Sequence, residues 1–364
     1  MKWTKLAGFL AAASCVTMIG AGAVMAEESN PISVCIITSS GIDDGSFNQD
    51  CYNGILTFIE DHDDCTVTDI KESDYNELIP TVEKSVGDFD VFVLPGFNFA
   101  GIGDIAQNNP DKKFLVVDST ITDSEGNAVT LDNVYTMTFK EQEGGFLAGV
   151  AAALTTQSGK VAVVNGMPFP SNVNYELGFM CGVNYANENY GSSAECVELP
   201  SYAGTDLFGN DVGGNYTGDF VDESLGKVVG EALIDEGCDV IFVAAGASGN
   251  GVFTAAKEAD GVYVIGCDVD QFDDGANGDG NIILTSSLKV MHSNVTKQLE
   301  NIYNGEFAGE DALLGADTDS TGIVTEEGRQ QLDDGVIEKL NECYEKIKSG
   351  EIVPASQEDF QGLK

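Results

Sequence analysis

The sequence predicts an α/β protein built as two doubly wound parallel-sheet lobes with a ligand cleft between them, and three observations carry that expectation. From residue 31 onward short apolar runs alternate with segments of helical period, as expected of parallel strands joined by crossover helices. The chain has 364 residues, more than one hydrophobic core usually serves, so two domains are expected. The segments that follow the strands are polar and rich in glycine, and ligands of doubly wound sheets bind beyond the carboxyl ends of the strands.

Taken in order, residues 32–38 read as a buried strand, and residues 47–59 follow with Phe47, Cys51, Ile55 and Ile59 on one helix face. The alternation continues with a strand at 66–70, a helix at 75–86, a strand at 91–94, a helix at 99–107 and strands at 114–117 and 134–139. A helix of small residues spans 145–156. A second series has strands at 161–164, 195–199, 240–244 and 262–265, separated by helices at 174–187, 223–236 and 252–258. A short strand at 282–284 precedes Lys289, and a terminal helix covers 331–348. Residues 203–215 read as a loop rich in glycine, asparagine and aspartate.

Residues 1–26 are an export signal rather than part of the fold. Lys2 and Lys5 precede an apolar stretch, and Val24-Met25-Ala26 suits cleavage before Glu27. A lipoprotein signal ending at Cys15 is the competing reading, but Ala12-Ala13-Ser14-Cys15 lacks the large aliphatic residue of a lipobox. Either route exports the chain to the cell surface or the extracytoplasmic space, secreted or lipid-anchored. With 60 acidic against 17 basic residues the formal net charge is −43, which disfavours nucleic acid and other polyanions as partners. Eight cysteines remain after the signal. Disulfides are permitted but their pairing is not specified, and Cys35 and Cys267 sit in apolar runs that suit buried thiols.

Catalytic and metal chemistry find little support. No G-x-S-x-G elbow is present, and His62 and His292, the two histidines, stand beside no recognisable nucleophile. The scarcity of histidine and the lack of a CxxC pair argue against zinc. Residues 317–322 imitate the start of a calcium loop, but its twelfth position is Gly328, where a glutamate is needed. Asp268, Asp270, Asp273 and Asp274 could draw a cation, yet their setting is loop-like. No metal, cofactor or catalytic residue is therefore expected. The turn from Gly246 to Gly251 departs from both phosphate-binding glycine motifs, so it reads as a helix-opening turn whose amides could face a neutral polar ligand. Phe47 and Phe220 lie in polar turns at helix starts, where an aromatic either staples its own helix or stacks on a flat ligand. For Lys289, base rates favour the surface, although lysines are scarce here and this one follows a strand.

In order along the chain, GIDDGSFNQ from Gly41, LPGFNF from Leu94, FLVVD from Phe114, EQEGGFLAG from Glu141, residues 239–251, GCDVDQ from Gly266 and SSLK from Ser286 together resemble the basic membrane protein family of ABC-transporter substrate-binding proteins, which includes purine nucleoside receptors. The resemblance implies a type I periplasmic-binding-protein fold crossed three times by the chain. Lobe 1 would take residues 32–137 plus about 283–308, and lobe 2 residues 138–282 plus about 309–352. It also implies capture of a purine nucleoside without catalysis, and delivery to an ABC permease and its ATPase. Carried over by position, Phe47 and Phe220 would sandwich the base, while Asp44, Asn48 and Asp118 would hydrogen-bond the ligand. Asp268 and Lys289 would hold the ribose hydroxyls, and Gly246 would supply a backbone contact. Three other readings stay open: a sugar or other small polar metabolite on the same fold, a secreted nucleoside-processing enzyme, and a signalling or adhesive lipoprotein.

Overall fold

The computed structural model describes residues 30–362, so the export signal and Cys15 lie outside the described residues. The first sheet is entirely parallel. Its strands are β1 (Ser33–Thr38), β2 (Thr66–Lys71), β3 (Val91–Pro95), β4 (Lys113–Val117), β5 (Val134–Phe139) and β11 (Glu310–Leu314), in the spatial order β11-β5-β4-β3-β1-β2. The second contains β6 (Lys160–Asn165), β7 (Glu195–Cys196), β8 (Val240–Ala244), β9 (Tyr263–Gly266), β10 (Ile283–Lys289) and β12 (Thr321–Ile323), ordered β12-β10-β9-β8-β6-β7. In this sheet β12 runs antiparallel and the others parallel. The first five strands of each sheet are wound alike, with the order reversing between the first and third strand of each series. At such a switch point the loops diverge and leave room for a ligand.

Helices cover both faces of each sheet. Lobe 1 carries α1 (Phe47–Asp61), α2 (Leu78–Ser85), α3 (Gly103–Asn108) and α8 (Met291–Tyr303). Lobe 2 carries α4 (Glu141–Thr155), α5 (Pro170–Tyr190), α6 (Glu223–Asp235), α7 (Gly246–Lys257) and α9 (Asp334–Lys348), with α10 (Gln357–Gly362) against α5. The central strands are buried along their length: Val34 to Ile37, Val91 to Leu94 and Val240 to Val243 sit in the cores of their lobes. Continuous apolar runs rather than alternation are what a strand covered on both faces needs.

The last third of the chain departs from the expected partition. Residues 283–289 pair with β9 and β12 in the second sheet, not in lobe 1, and residues 310–314 pair with β5 in the first sheet, not in lobe 2. The chain thus passes between lobes at Phe139–Glu141, at Lys289–Met291 and between Leu314 and Thr321. Helix α8 is an addition to the expected elements, although Met291, Val295, Leu299 and Ile302 form a buried face against α1 at helical spacing. The expected loop at 203–215 folds back as a two-stranded hairpin, Gly204–Thr205 with Asp211–Gly213. The eight described cysteines are free thiols, Cys35 and Cys267 among the buried ones.

Helices α4 and α5 pack backbone to backbone in lobe 2. A side chain built at Gly149 would lie 2.2 Å from the Phe179 carbonyl oxygen, and one at Gly182 2.1 Å from that of Phe146. Gly145 and Gly178, one turn away, meet the backbone of Tyr175 and Gln142 in the same way. Glycine at four-residue spacing on both helices lets the backbones touch. The contact fixes the start of α4 against the start of α5, where residues of the cleft are found.

Glu176, on α5, is enclosed with Tyr216, whose hydroxyl donates to its Oε2 at 2.6 Å. Burial pushes this carboxyl up to about 8, against the pull of that hydrogen bond and with a push from Glu198. A carboxyl raised by folding binds its proton more tightly folded than unfolded, so its contribution to stability falls as pH rises from about 4.5 through 8. Glu176→Gln is therefore expected to flatten that part of the stability profile. Every tenfold difference in proton affinity between the folded and unfolded chain is worth about 1.4 kcal/mol, and urea melts at pH 5, 7 and 9 measure the change. A parallel loss in both proteins across that range would count against a protonated Glu176.

Candidate ligand-binding cleft

The carboxyl ends of strands from both sheets converge on one cleft lined by residues of both lobes. All eight residues singled out from the sequence line it: Asp44, Phe47, Asn48, Asp118, Phe220, Gly246, Asp268 and Lys289. Most of them follow or end a strand or open a helix. Asp118 comes directly after β4, Asp268 two residues after β9, Lys289 is the last residue of β10, and Phe47 and Gly246 begin α1 and α7.

Lys289 is not the surface lysine that base rates favour. It is 2% exposed, because β10 extends five residues beyond the expected strand and carries the side chain into the interior. Its Nζ donates to Asp118 Oδ2 at 2.6 Å and stands 3.6 Å from Glu141 Oε1 and 3.8 Å from Asp268 Oδ1. The rings of Phe47, Phe139 and Tyr175 surround the ammonium at 4.8, 5.5 and 5.7 Å. Burial alone would lower the lysine's pKa, but the carboxylates of Asp118, Asp268 and Glu141 outweigh it and hold the ammonium charged above its usual range. The carboxylates outnumber their cation. Burial pushes Glu141 up to about 7 and Asp268 up to about 6, in both cases against the pull of Lys289 and with a push from Asp118.

The remaining contacts order this cluster. Tyr175 donates its hydroxyl to Asp268 Oδ1 at 3.2 Å, and Asn174 Nδ2 donates to Glu141 Oε2 at 3.2 Å. Asp118 Oδ1 is buried with no hydrogen-bond partner among the described residues, an arrangement that costs about 1–3 kcal/mol unless a donor arrives. Asp118 and Asp268 also have φ of 64° and 70°, a left-handed conformation aspartate tolerates better than most residues. Asp319 is the other non-glycine residue with positive φ among the described residues, so this strain concentrates at the cleft.

Asp44 does different work from that suggested by its position. Its Oδ1 accepts from the amides of Ser46 and Gln49 and its Oδ2 from that of Asn48, at 3.0–3.1 Å. The carboxylate caps α1 and aims Phe47 and Asn48. Asn48 in turn donates Nδ2 to Ser40 Oγ at 2.7 Å.

Phe47 enters from lobe 1 and Phe220 from lobe 2. Phe220 packs on Gly166, where an added Cβ would lie 2.2 Å from its ring. Two aromatics outside the expected ligand-binding set join it: Phe169 stacks on Phe220 with centroids 5.9 Å apart, and Phe97 meets Phe169 at 5.4 Å. Glu141, Asn172 and Tyr175 are further additions to the expected set. Phe97 and Phe169 follow β3 and β6, so the rule that points to the other residues applies to both. The acidic loops elsewhere are engaged within the chain: Asp270 and Asp273 hold Arg329, Asp317 pairs with Lys140, and Asp319 with Lys348.

Comparison with known proteins agrees with this architecture. The family model of PnrA-like ABC transporter substrate-binding proteins matches residues 32–197 and 210–358. The interruption, residues 198–209, takes in the first strand of the 204–213 hairpin and most of its turn. A "CD4+ T-cell-stimulating antigen" of Listeria monocytogenes is 31% identical, over 90% of this chain and 88% of its own length. An "ABC transporter nucleoside-binding protein BmpA" of Lactococcus lactis is 28% identical, over 76% of this chain and 77% of its own. Among solved structures, an ABC-transporter solute-binding protein from Aeropyrum pernix superposes with a TM-score of 0.74 at 25% identity, covering 90% of this chain and 94% of the other.

Removing the cation tests the cluster. Lys289→Met leaves three carboxyl groups buried without their counter-charge, and breaking such a pair typically costs about 3–5 kcal/mol. The deficit is expected to be largest near neutral pH and to shrink toward pH 5, where Glu141 and Asp268 take up protons. Thermal melts across that range measure it, and a deficit that grows on acidification would contradict the arrangement.

Proposed function

Because the chain belongs to the family of PnrA-like ABC transporter substrate-binding proteins, we propose that it captures purine nucleosides outside the cytoplasm and passes them, unaltered, to an importer made of a permease and its ATPase. One observation carries the reading: the cleft sets aromatic faces beside a buried cluster in which acceptors outnumber the single cation. A nucleoside has those two halves. Its base is flat and polarizable, and its hydroxyls and base-edge N–H groups are donors.

In this reading Phe47 and Phe220 take the two faces of the base, and Asn48 and Asp118 meet its edge. The unpartnered Asp118 Oδ1 suits a base N–H. Asp268 accepts from the ribose hydroxyls and Lys289 donates to them, while the start of α7 at Gly246 offers a backbone contact. A phosphate would bring further negative charge into a site that already holds three carboxyl groups around one ammonium, so nucleosides are favoured over nucleotides. The nucleoside-binding designation of the Lactococcus relative supports the same ligand class.

Calorimetric titration with nucleosides, nucleotides, free bases and sugars tests the proposal. Purine nucleosides are expected to bind and their 5′-phosphates to fail. At 100 times the dissociation constant, a bound nucleoside should also stabilise the fold by about 2.7 kcal/mol. Phe47→Ala should weaken binding by about 1–3 kcal/mol, the scale of base–aromatic stacking. Heat from a sugar and none from any nucleoside would retain the fold and overturn the ligand.

A further inference from the structure

We infer that Phe97 and Phe169 form an aromatic clasp across the cleft that governs how slowly bound ligand leaves, an inference that rests on the nucleoside reading above. Phe97 belongs to lobe 1, in the short helical segment Phe97–Ile102 that follows β3. Phe169 belongs to lobe 2, next to Pro170 at the start of α5. Their ring centroids are 5.4 Å apart with planes inclined by 32°, and both line the cleft. This contact is made by groups mounted on different lobes, so it exists only when the lobes are together.

Both rings are held from behind. The chain turns into Phe97 through Gly96, with φ of 116°, and the Gly96 amide is bound to the Val117 carbonyl at 2.9 Å. The Phe169 carbonyl accepts the Val173 amide at 3.0 Å, the first bond of α5. On its other side Phe169 stacks on Phe220 at 5.9 Å. Phe220 cannot recede, since its ring rests on Gly166 and its carbonyl accepts the Ser248 amide at 3.3 Å. Phe97, Phe169 and Phe220 thus make a ladder running from lobe 1 to the ring proposed to bear the base. The clasp secures that ring and resists reopening.

Another contact between lobes in the cleft is the ion pair of Lys289 with Asp118. Opening the cleft would give water to its charges, which offsets much of the lost attraction. Separating two rings returns apolar surface to water and has no such compensation. The clasp is absent from the open form that ligand first meets. Its loss therefore acts on dissociation and leaves association largely untouched.

Surface plasmon resonance of adenosine, inosine and guanosine on the immobilised protein separates the two rates. Phe97→Ala and Phe169→Ala are expected to raise the dissociation rate about 2- to 10-fold, the range of an aromatic pair, with association within about 2-fold. Phe97→Leu keeps apolar bulk without a ring and should fall between the alanine form and the unmodified protein, while Phe97→Tyr should keep slow release. The double variant should release no faster than the quicker single one. Unchanged dissociation, a matching fall in association, or additive single effects would overturn the clasp. If the unmodified protein binds none of the three nucleosides, the functional reading fails separately. The clasp is then judged without ligand by small-angle scattering: it biases the exchange between open and closed forms toward the closed one, so Phe97→Ala should have a larger radius of gyration than the unmodified protein, and equal radii would overturn it.

Discussion

A single buried ammonium organises the centre of this protein. Lys289 is surrounded by carboxyl groups from the end of β4, the segment after β9 and the start of α4. Desolvating an ammonium costs several kcal/mol, and only close, well-directed partners return it. Those partners can be close only if strand ends from both sheets point to one place, so the cation and the two-lobed architecture depend on each other. Asp118 and Asp268 accept left-handed backbone to reach it, at roughly 1–3 kcal/mol each. Backbone bonds support both, from the Asp118 amide to the Met137 carbonyl at 2.8 Å and from the Lys289 amide to the Asp268 carbonyl at 2.9 Å.

The start of α4 joins the ligand cluster to the hinge. Glu141 turns toward Lys289, while Glu143 accepts from the Ala316 amide and the Thr321 hydroxyl, both at 2.7 Å, on the third crossing between lobes. Lys140 is tied to the same crossing through its amide, bound to the Leu314 carbonyl at 2.8 Å, and through its ion pair with Asp317. Because glycine contacts press α4 onto α5, this turn cannot shift alone. Glu141 thus sits on a turn that is tied both to Lys289 and to the third crossing between lobes.

The central strands and most helices are legible in the sequence because their signals are local: apolar runs of strand length, helical spacing, and glycine where a strand ends. The failures have equally definite causes. Met291 to Ile302 carries a clear helical period, but the apolar run of β10 stops at residue 284, which leaves the stretch without a frame. Residues 310–314 alternate weakly, being EDALL on an edge strand, and their partner β5 lies far away in sequence. Pairing over that distance leaves no local mark, so the crossing pattern cannot be placed residue by residue. Within the cleft, the residues that follow strands can be named from order alone. That Asp44 caps its own helix, and that Lys289 faces three carboxyl groups instead of solvent, are facts of tertiary geometry. Frequencies put lysine outside; the surrounding carboxylates put this one inside.

The overall acidity and the acidity of the cleft are separate physical matters. Most of the chain's negative charge lies on exposed side chains, where water and salt screen it beyond about 8 Å under physiological conditions. That field slows the approach of polyanions but discriminates poorly between small ligands at short range. Lys289 and the carboxyl groups around it are buried, at 2–11% side-chain exposure for the four partners, and are screened far less. Their excess over the cation acts on whatever atom enters the cleft, favouring donors and opposing a phosphate at contact distance. In the reading proposed above, the preference for nucleoside over nucleotide therefore rests on the four-residue cluster rather than on the surface charge.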